Sequence, residues 1–259
     1  MSRRASAHRV GRRDRRRGLF GRRLLLTLIG VTVLSLGLLA GDGVLAKAPK
    51  APSIEEIHQV VQKVQARYRN TTDLQADFTQ STAIAGFVTA LSSRGRVYLK
   101  KPGRLRWDYL EPNVERIYVN GDQVQMYVPE HKQVLVGALT QMAASQAPLQ
   151  LLQGVAKLER QFVVEPTQDP ARGEGGVPLV TLRPKLHERK DVQSVERIVL
   201  ELQPKTYYIK AVSIHEISGN VSRFEFSDLR VNTGLADEVF EFQVPAGVAV
   251  VKAPSLGPP

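Results

Sequence analysis

The sequence predicts a mainly β (α+β) protein, built as an incomplete, strongly curved antiparallel β-barrel of about 11 strands. Two observations predict this class. From residue 74 onward apolar residues recur with a period of two, and turn-forming residues separate the runs. One amphipathic helix pattern and two short apolar ones remain, too few to cover a flat sheet of that size. The sheet is therefore expected to curl, with an N-terminal helix and short lid helices over an apolar cavity.

The positive charge of the chain is concentrated at its N-terminus. The 259 residues carry 36 Lys+Arg and 25 Asp+Glu, a formal charge of +11, and residues 1–23 alone contribute +9 of it. Residues 47–259 carry only +3. A domain that wraps nucleic acid needs its cations on the folded surface, so this class of function is excluded and no nucleic-acid partner is expected.

Residues 1–46 have the layout of a secretory signal peptide. An arginine-rich stretch is followed by an uncharged run over 24–40 and by a possible cleavage site before Lys47. An uncleaved anchor is the alternative, but seventeen helical residues span only ~25 Å of a bilayer core of ~30 Å. Both interpretations place the rest of the chain outside the cytoplasm. The chain has no cysteine, which excludes disulfides, a Cys nucleophile and a lipid anchor attached through Cys.

The exported part is predicted to be one domain over 53–251, after a Pro/Lys linker at 47–52 and before a disordered tail at 252–259. Ser53 and Glu56 match a capping box, and helical spacing of apolar residues predicts a helix over 54–68. Turn markers such as Asn120-Gly121 then separate short strands. The predicted strands are 74–81, 92–100, 103–110, 114–120, 123–128, 132–137, 161–166, 177–183, 195–203, 207–217 and 221–231.

One segment interrupts the strands. Residues 139–152 are rich in Ala, Gln, Leu and Met, which favour helix, and Pro148 is placed to begin a second short helix. These two short helices are the predicted lid. They would lie over the apolar face of the sheet, because that face must be covered.

Alternation along the strands assigns one apolar face and one charged face to the sheet. In the strand 103–110, one side carries Leu105, Trp107 and Tyr109, and the other side carries Arg104, Arg106 and Asp108. The apolar side of other strands carries Val97, Leu99, Met126, Ile214, Phe224 and Phe226. A curled sheet with an incomplete helical plug leaves a lipid-sized cavity. The alternative is that the same residues pack as an ordinary barrel core.

The sequence offers no catalytic constellation. Its five histidines are scattered without metal-ligand spacing, and it contains no G-x-S-x-G, phosphate-binding loop or dinucleotide fingerprint. We therefore expect no enzymatic activity and no cofactor. Lys100, Lys101, Arg104 and Arg106 cluster around one turn, either as an ordinary solvated strand face or as a docking surface for acidic headgroups or a partner.

The order of motifs resembles the LolA family of periplasmic outer-membrane lipoprotein carriers. The motifs are Phe78-Thr79-Gln80, then Gly95-x-Val97-x-Leu99-x-Lys101-Pro102-Gly103-x-Leu105-x-Trp107, Asn120-Gly121-Asp122, Pro148-Leu149-x-Leu151-Leu152, and Phe240-x-Phe242-x-Val244-Pro245-x-Gly247-Val248. The resemblance implies a soluble, monomeric periplasmic carrier. It would bind the acyl chains of lipoproteins released by an inner-membrane ABC-type complex and deliver them to an outer-membrane acceptor.

The resemblance also implies site residues. The expected lipid-binding cavity is lined by Val97, Leu99, Leu105, Trp107, Tyr109, Met126, Leu149, Leu152, Ile214, Phe224 and Phe226. Lys101 stands where the family typically has an Arg that bonds the lid closed, and Leu105 stands where it often has Phe. Lys101 is thus predicted to be the lid latch, with an ammonium group in place of a planar fork.

Two other functions remain open at this level. A carrier of another amphiphile, such as a glycolipid or a hydrophobic metabolite, would have the same fold and the same apolar residues. An envelope-stress sensor that binds mislocalised lipoproteins would also use this fold. The sensors usually carry a further C-terminal domain, whereas this sequence stops soon after the closing motif, so a carrier is the favoured function.

Overall fold

A computed structural model describes residues 51–138, 151–152, 155, 158–168, 171–185 and 195–252. Within them, twelve strands form one curved, open sheet, which confirms the predicted fold class. The predicted signal peptide, the predicted tail beyond residue 252 and most of the predicted lid lie outside the described residues. None of the helices described is both long and apolar enough to cross a membrane.

The strands are close to those predicted. They are β1 (Asp73–Ala83), β2 (Leu91–Lys100), β3 (Arg104–Glu111), β4 (Glu115–Asn120), β5 (Gln123–Val128), β6 (Gln133–Ala138), β7 (Phe162–Pro166), β8 (Val180–Pro184), β9 (Val195–Leu202), β10 (Ile209–Glu216), β11 (Val221–Val231) and β12 (Ala249–Lys252). The predicted strand 207–217 begins later, at Ile209, because Lys205 and Tyr207 have positive φ angles of 67° and 60° and form a turn instead.

The sheet has the order β12-β6-β5-β4-β3-β2-β1-β11-β10-β9-β8-β7. Strand β1 therefore lies inside the sheet, where it joins the early hairpins to the late ones by pairing antiparallel with both β2 and β11. The expectation of eleven strands, all antiparallel, missed β12, which pairs parallel to β6. Four residues are too short for alternation to be visible, and the partner strand is more than a hundred positions away in the chain.

Helix α1 (Ile54–Arg69) covers the apolar face of the sheet. The Ser53 side chain accepts a hydrogen bond from the Glu56 backbone N at 3.1 Å, as the predicted cap requires. The Glu56 carboxylate accepts two hydrogen bonds from Arg172, at 2.8 and 2.9 Å. The buried side of α1 consists of Ile57, Val60, Val61, Val64, Gln65 and Tyr68. A helix of a single turn, α2 (Leu158–Gln161), precedes β7.

Asp73 fastens the start of β1 to the turn that follows β11. Its buried carboxylate accepts hydrogen bonds from the backbone N of Thr233 at 2.8 Å and of Gly234 at 3.1 Å, and from the Thr233 hydroxyl at 3.1 Å. Burial by itself raises the pKa of Asp73, but these hydrogen bonds outweigh it, so the net pKa is lowered. The carboxylate thus stabilises the fold while it is ionised.

The substitution Asp73→Asn is expected to lower the free energy of unfolding by about 1–2 kcal/mol at pH 7, since an amide is a weaker acceptor and offers one oxygen. The pKa of Asp73 in the folded protein lies below its value in the unfolded chain, which is about 3.9. The ionised carboxylate therefore contributes its full stabilisation at pH values above about 3.9. This stability is lost as the pH falls through the folded-state pKa. Urea unfolding at pH 7 and at pH 3 measures this difference, with Asp122→Asn in the exposed β4–β5 turn as the control. A deficit equally large at both pH values would contradict the assignment.

Candidate functional site

An aromatic cluster occupies the middle of the buried face. The ring centroids of Phe78 and Trp107 are 4.4 Å apart, and Phe224 and Phe226 lie edge-on to Trp107 at 5.6 and 6.3 Å. Tyr109 lies edge-on to Phe78 at 5.3 Å. These residues come from strands β1, β3 and β11, so pairing between distant parts of the chain assembles the cluster.

The predicted cavity residues converge on this cluster. Those that are fully buried are Val97, Leu99, Leu105, Trp107, Leu152, Ile214 and Phe224, and those that are partly buried against them are Tyr109, Met126 and Phe226. Leu149 lies outside the described residues. Ten of the eleven predicted side chains therefore belong to one continuous apolar cluster.

A small apolar cavity lies between the end of α1 and the sheet. Its volume is about 10 Å³, close to the space needed for one water molecule. It is lined by Tyr68, Leu74, Ala76, Val97, Leu152, Ile209, Phe226 and Leu229. Five of these were not predicted as cavity residues: Tyr68, Leu74, Ala76, Ile209 and Leu229. The alternation Leu74, Ala76, Phe78 along β1 was a signal that could have identified two of them.

A larger cavity, of about 210 Å³, lies beside the first and shares Tyr68 and Leu152 with it. Its other walls are Thr71, Leu99, Lys100, Lys101, Gly103 and Arg104. This cavity combines an apolar inner wall with a basic rim. It lies where the end of α1 meets the β2–β3 turn.

Lys101 binds the end of helix α1. Its Nζ donates hydrogen bonds to the backbone oxygen of Tyr68 and, at 3.2 Å, to that of Arg69, while its backbone N donates to the oxygen of Thr72 at 2.8 Å. The last carbonyls of a helix lack partners within the helix and carry the negative end of its dipole, which suits an ammonium group. Partial burial lowers the pKa of Lys101. Among the residues described, its side-chain acceptors are on α1 and not on the short lid segment at Leu152.

Tyr68 carries the same helix end into the interior. Its hydroxyl accepts a hydrogen bond from the backbone N of Ile209 at 3.3 Å, and its ring lies edge-on to Tyr208 at 5.5 Å. Burial raises the pKa of Tyr68, so the phenol stays neutral. Since Tyr68 lines both cavities and its carbonyl binds Lys101, movement of this helix end would change all three features together.

The basic cluster of the outer face is largely paired within the chain. Asp237 forms ion pairs with Lys100 and, at 2.7 Å, with Arg104. Arg106 pairs with Asp108 at 2.8 Å. Asp237 belongs to a 3-10 helix, Asp237–Phe240, and the following Phe242 stacks on Tyr118 with ring centroids 5.0 Å apart. These contacts favour an internal role for the cluster over a free docking surface.

We next considered whether the described residues could form a metal-binding or catalytic site. Within the described ranges, no three or more His, Cys, Asp or Glu side chains are grouped so as to hold a metal ion. His58 Nδ1 lies 3.0 Å from Glu159, and His215 Nδ1 lies 3.0 Å from Arg197. Both contacts join neighbouring elements on the surface of the domain.

A curved, mainly antiparallel sheet with one apolar face, covered by a helix, defines a class of protein whose candidate site is its interior. The chain belongs to the LolA family: the family model described as "Outer membrane lipoprotein carrier protein LolA" matches residues 69–243. This confirms the family predicted from the motifs.

Two named relatives agree with the family match. An outer-membrane lipoprotein carrier protein of Methylobacillus flagellatus is 28% identical over 191 residues, covering 74% of this chain and 88% of the relative. One of Methylococcus capsulatus is 31% identical over 177 residues, covering 68% and 80%. A solved structure, a putative outer membrane lipoprotein-sorting protein domain from Vibrio parahaemolyticus, has a TM-score of 0.45 at 14% identity, covering 72% of this chain and 96% of that one.

Proposed function

We propose that the protein is a soluble periplasmic carrier of lipoproteins and not an enzyme. It would bind the acyl chains of lipoproteins released from the inner membrane and deliver them to an outer-membrane acceptor. The observation that carries the proposal is the continuous apolar cluster, which spans the sheet from Leu105 to Ile214 and lies under a helix held at its end by Lys101. The family match and the names of the relatives support the same function.

The cost of exposing acyl chains to water makes a carrier between two membranes necessary. Each exposed methylene group costs ~0.8 kcal/mol, so a lipoprotein with long acyl chains does not leave a membrane unaided. An apolar interior lowers this cost without chemistry in the carrier. Net transfer then requires only that the acceptor binds the acyl chains more tightly than the carrier does.

Binding of an acyl chain would be coupled to movement of α1. The apolar cavity at the end of α1, of about 10 Å³, holds no acyl chain by itself. If the end of α1 moved away from the sheet, this cavity would merge with the 210 Å³ cavity beside it. Acyl chains would then replace side-chain contacts now made across the interior, so the free-energy cost of opening is partly recovered in the complex.

The proposed cycle would involve two partners. An inner-membrane ABC-type releasing complex would supply the energy for extracting the lipoprotein, since we expect the carrier to bind no nucleotide. An outer-membrane lipoprotein acceptor would receive the cargo. The carrier is expected to act as a monomer, with one cargo molecule in each interior.

A release assay tests the proposal. The exported protein, purified from the periplasm, is added to spheroplasts that synthesise a labelled outer-membrane lipoprotein, and the label is counted in the supernatant. ATP-dependent release as a one-to-one complex is expected. No release by folded protein would contradict a lipoprotein carrier, and lipid identification after purification would then test glycolipids and hydrophobic metabolites as cargo.

A matched pair of variants links release to the interior. Phe226 faces the apolar cavity, whereas its neighbour Glu225 is exposed on the other side of β11. Phe226→Gln places an amide where acyl chains would lie and is expected to lower the released label about tenfold, because the amide loses its water without gaining a partner. Glu225→Gln is expected to leave release unchanged. Equal release by both variants would place the binding site elsewhere.

A further inference from the structure

Trp107 is a buried donor without an acceptor. It is the only tryptophan of the chain and is 1% exposed. Its indole Nε1 is fully buried and has no hydrogen-bond partner among the residues that the structure describes. Most buried polar groups in proteins are paired, so a group that is not paired calls for an explanation.

Among the described residues, the neighbours of Trp107 are apolar except on one side. The rings of Phe78, Phe224 and Phe226 contact it and offer no acceptor for a conventional hydrogen bond. The Tyr109 side chain is its polar neighbour: burial raises the pKa of Tyr109 and a weak polar contact with the indole opposes this rise, but the contact does not have the geometry of a hydrogen bond. The Tyr109 hydroxyl instead donates to Gln80 Oε1 at 2.9 Å. The indole N–H of Trp107 is therefore a polar donor inside an otherwise apolar aromatic cluster.

An unpaired indole N–H destabilises the closed protein, and a phenylalanine could fill much of the same space without that cost. Strained or unsatisfied groups that persist in a folded protein are concentrated at functional sites. A ligand that brought an acceptor into the cluster would satisfy the N–H and gain affinity, because the water of that donor has already been removed on folding.

We propose that the Trp107 indole N–H donates a hydrogen bond to the carbonyl oxygen of an acyl group bound in the interior. This inference rests on the proposed function and adds a ligand class to it: amphiphiles whose chain is attached through an ester or amide carbonyl, in preference to chains attached through an ether. The carbonyl marks the head of the chain, so this contact fixes how deep the chain enters. The apolar residues of the interior then contact the methylene groups beyond it.

The test compares two ligands that differ only at the carbonyl, a glycerol monoester with a sixteen-carbon chain and the alkyl glycerol ether of the same length. Because the chain has a single tryptophan, its fluorescence reports on Trp107 alone. We expect the ester to bind about tenfold more tightly than the ether. The ester alone should shift the Trp107 emission to longer wavelength, as a hydrogen bond to the indole does. Equal affinities and equal emission would overturn the proposal.

Two variants separate the hydrogen bond from the ring. Trp107→Phe keeps an aromatic ring and removes the N–H, so it should bind ester and ether equally, as measured by competition with a fluorescent lipid. Phe224→Leu removes an aromatic ring that contacts Trp107 and keeps the N–H, so it should weaken both ligands and preserve the tenfold ratio. An ester preference that survives in Trp107→Phe would overturn the proposal. If wild-type protein bound neither ligand, both this inference and a cavity for acyl chains would be wrong.

Discussion

Replacing Lys101 by leucine is expected to raise the open fraction of the protein about tenfold. The substitution removes the donor to the last carbonyls of α1 at Tyr68 and Arg69. Hydrogen bonds from a charged group contribute about 1.5–3 kcal/mol, and the exposure of Lys101 to solvent places this one near the lower limit. A change of about 1.4 kcal/mol is a factor of about ten in the equilibrium between closed and open forms.

This change has two measurable consequences. Amide hydrogen exchange over α1 should accelerate about tenfold. The apparent affinity for an acyl ligand should rise by a similar factor, because less of the binding free energy is used to open the protein. Tighter binding would also slow delivery to acceptor membranes.

Lys101→Arg is the control, since a guanidinium group keeps the charge and can donate to both carbonyls. Ser92→Ala, at an exposed position of β2, the strand that precedes Lys101, should have no effect. If Lys101→Leu left the exchange of α1 and ligand transfer as in the wild type, Lys101 would not be a latch.

Gly95→Ala is expected to destabilise the protein by about 3 kcal/mol, a large effect for a single methyl group. An added Cβ would lie 1.9 Å from the backbone O of Asp108 and 2.8 Å from two ring carbons of Phe78. Backbone and a packed ring cannot both move away without breaking the β2–β3 pairing or the aromatic cluster. Glycine is therefore required at position 95 because there is no room for a Cβ atom, and not because the backbone conformation is unusual.

Thermal unfolding measures this effect through the fluorescence of Trp107, which lies 4.4 Å from the Phe78 ring. For a domain of this size, about 3 kcal/mol corresponds to a decrease in Tm of roughly 6–12 °C. Ser92→Ala on the same strand should change Tm by no more than 1–2 °C, or about 0.5 kcal/mol. If the Tm of Gly95→Ala lay within 1–2 °C of the wild-type Tm, β2 and β3 could accommodate the added methyl group without loss of stability.

Sequence patterns alone located most of the strands and assigned their faces. Alternation is a local property, because successive side chains of a strand point to opposite faces and one face is buried. It was therefore sufficient to group Leu105 with Trp107 and Phe224 with Phe226, and the structure places all four in one cluster. The capping role of Ser53 and the start of α1 were equally local and equally well predicted.

Other features depend on residues that are distant in the chain. The polar partners of the basic cluster were not predicted, because Asp237 meets Lys100 and Arg104 only after the segment following β11 folds back over β2 and β3. Strand β12 was missed for the same reason, since its partner β6 lies far away in the sequence. Nothing in the local pattern of either segment indicates these contacts.

The sequence by itself determined the apolar face of a curved sheet, the helix that covers it and the family to which both belong. Only the tertiary structure decided that this face packs with α1 into one continuous cluster, that Lys101 binds the end of α1, and that the Trp107 N–H lacks an acceptor among the described residues. The physical reason is that periodicity reports which way a side chain points, whereas cavity volume and hydrogen-bond partners depend on the distances between elements. Those distances are set by the pairing of β1 with both β2 and β11 and by the packing of α1 against the sheet.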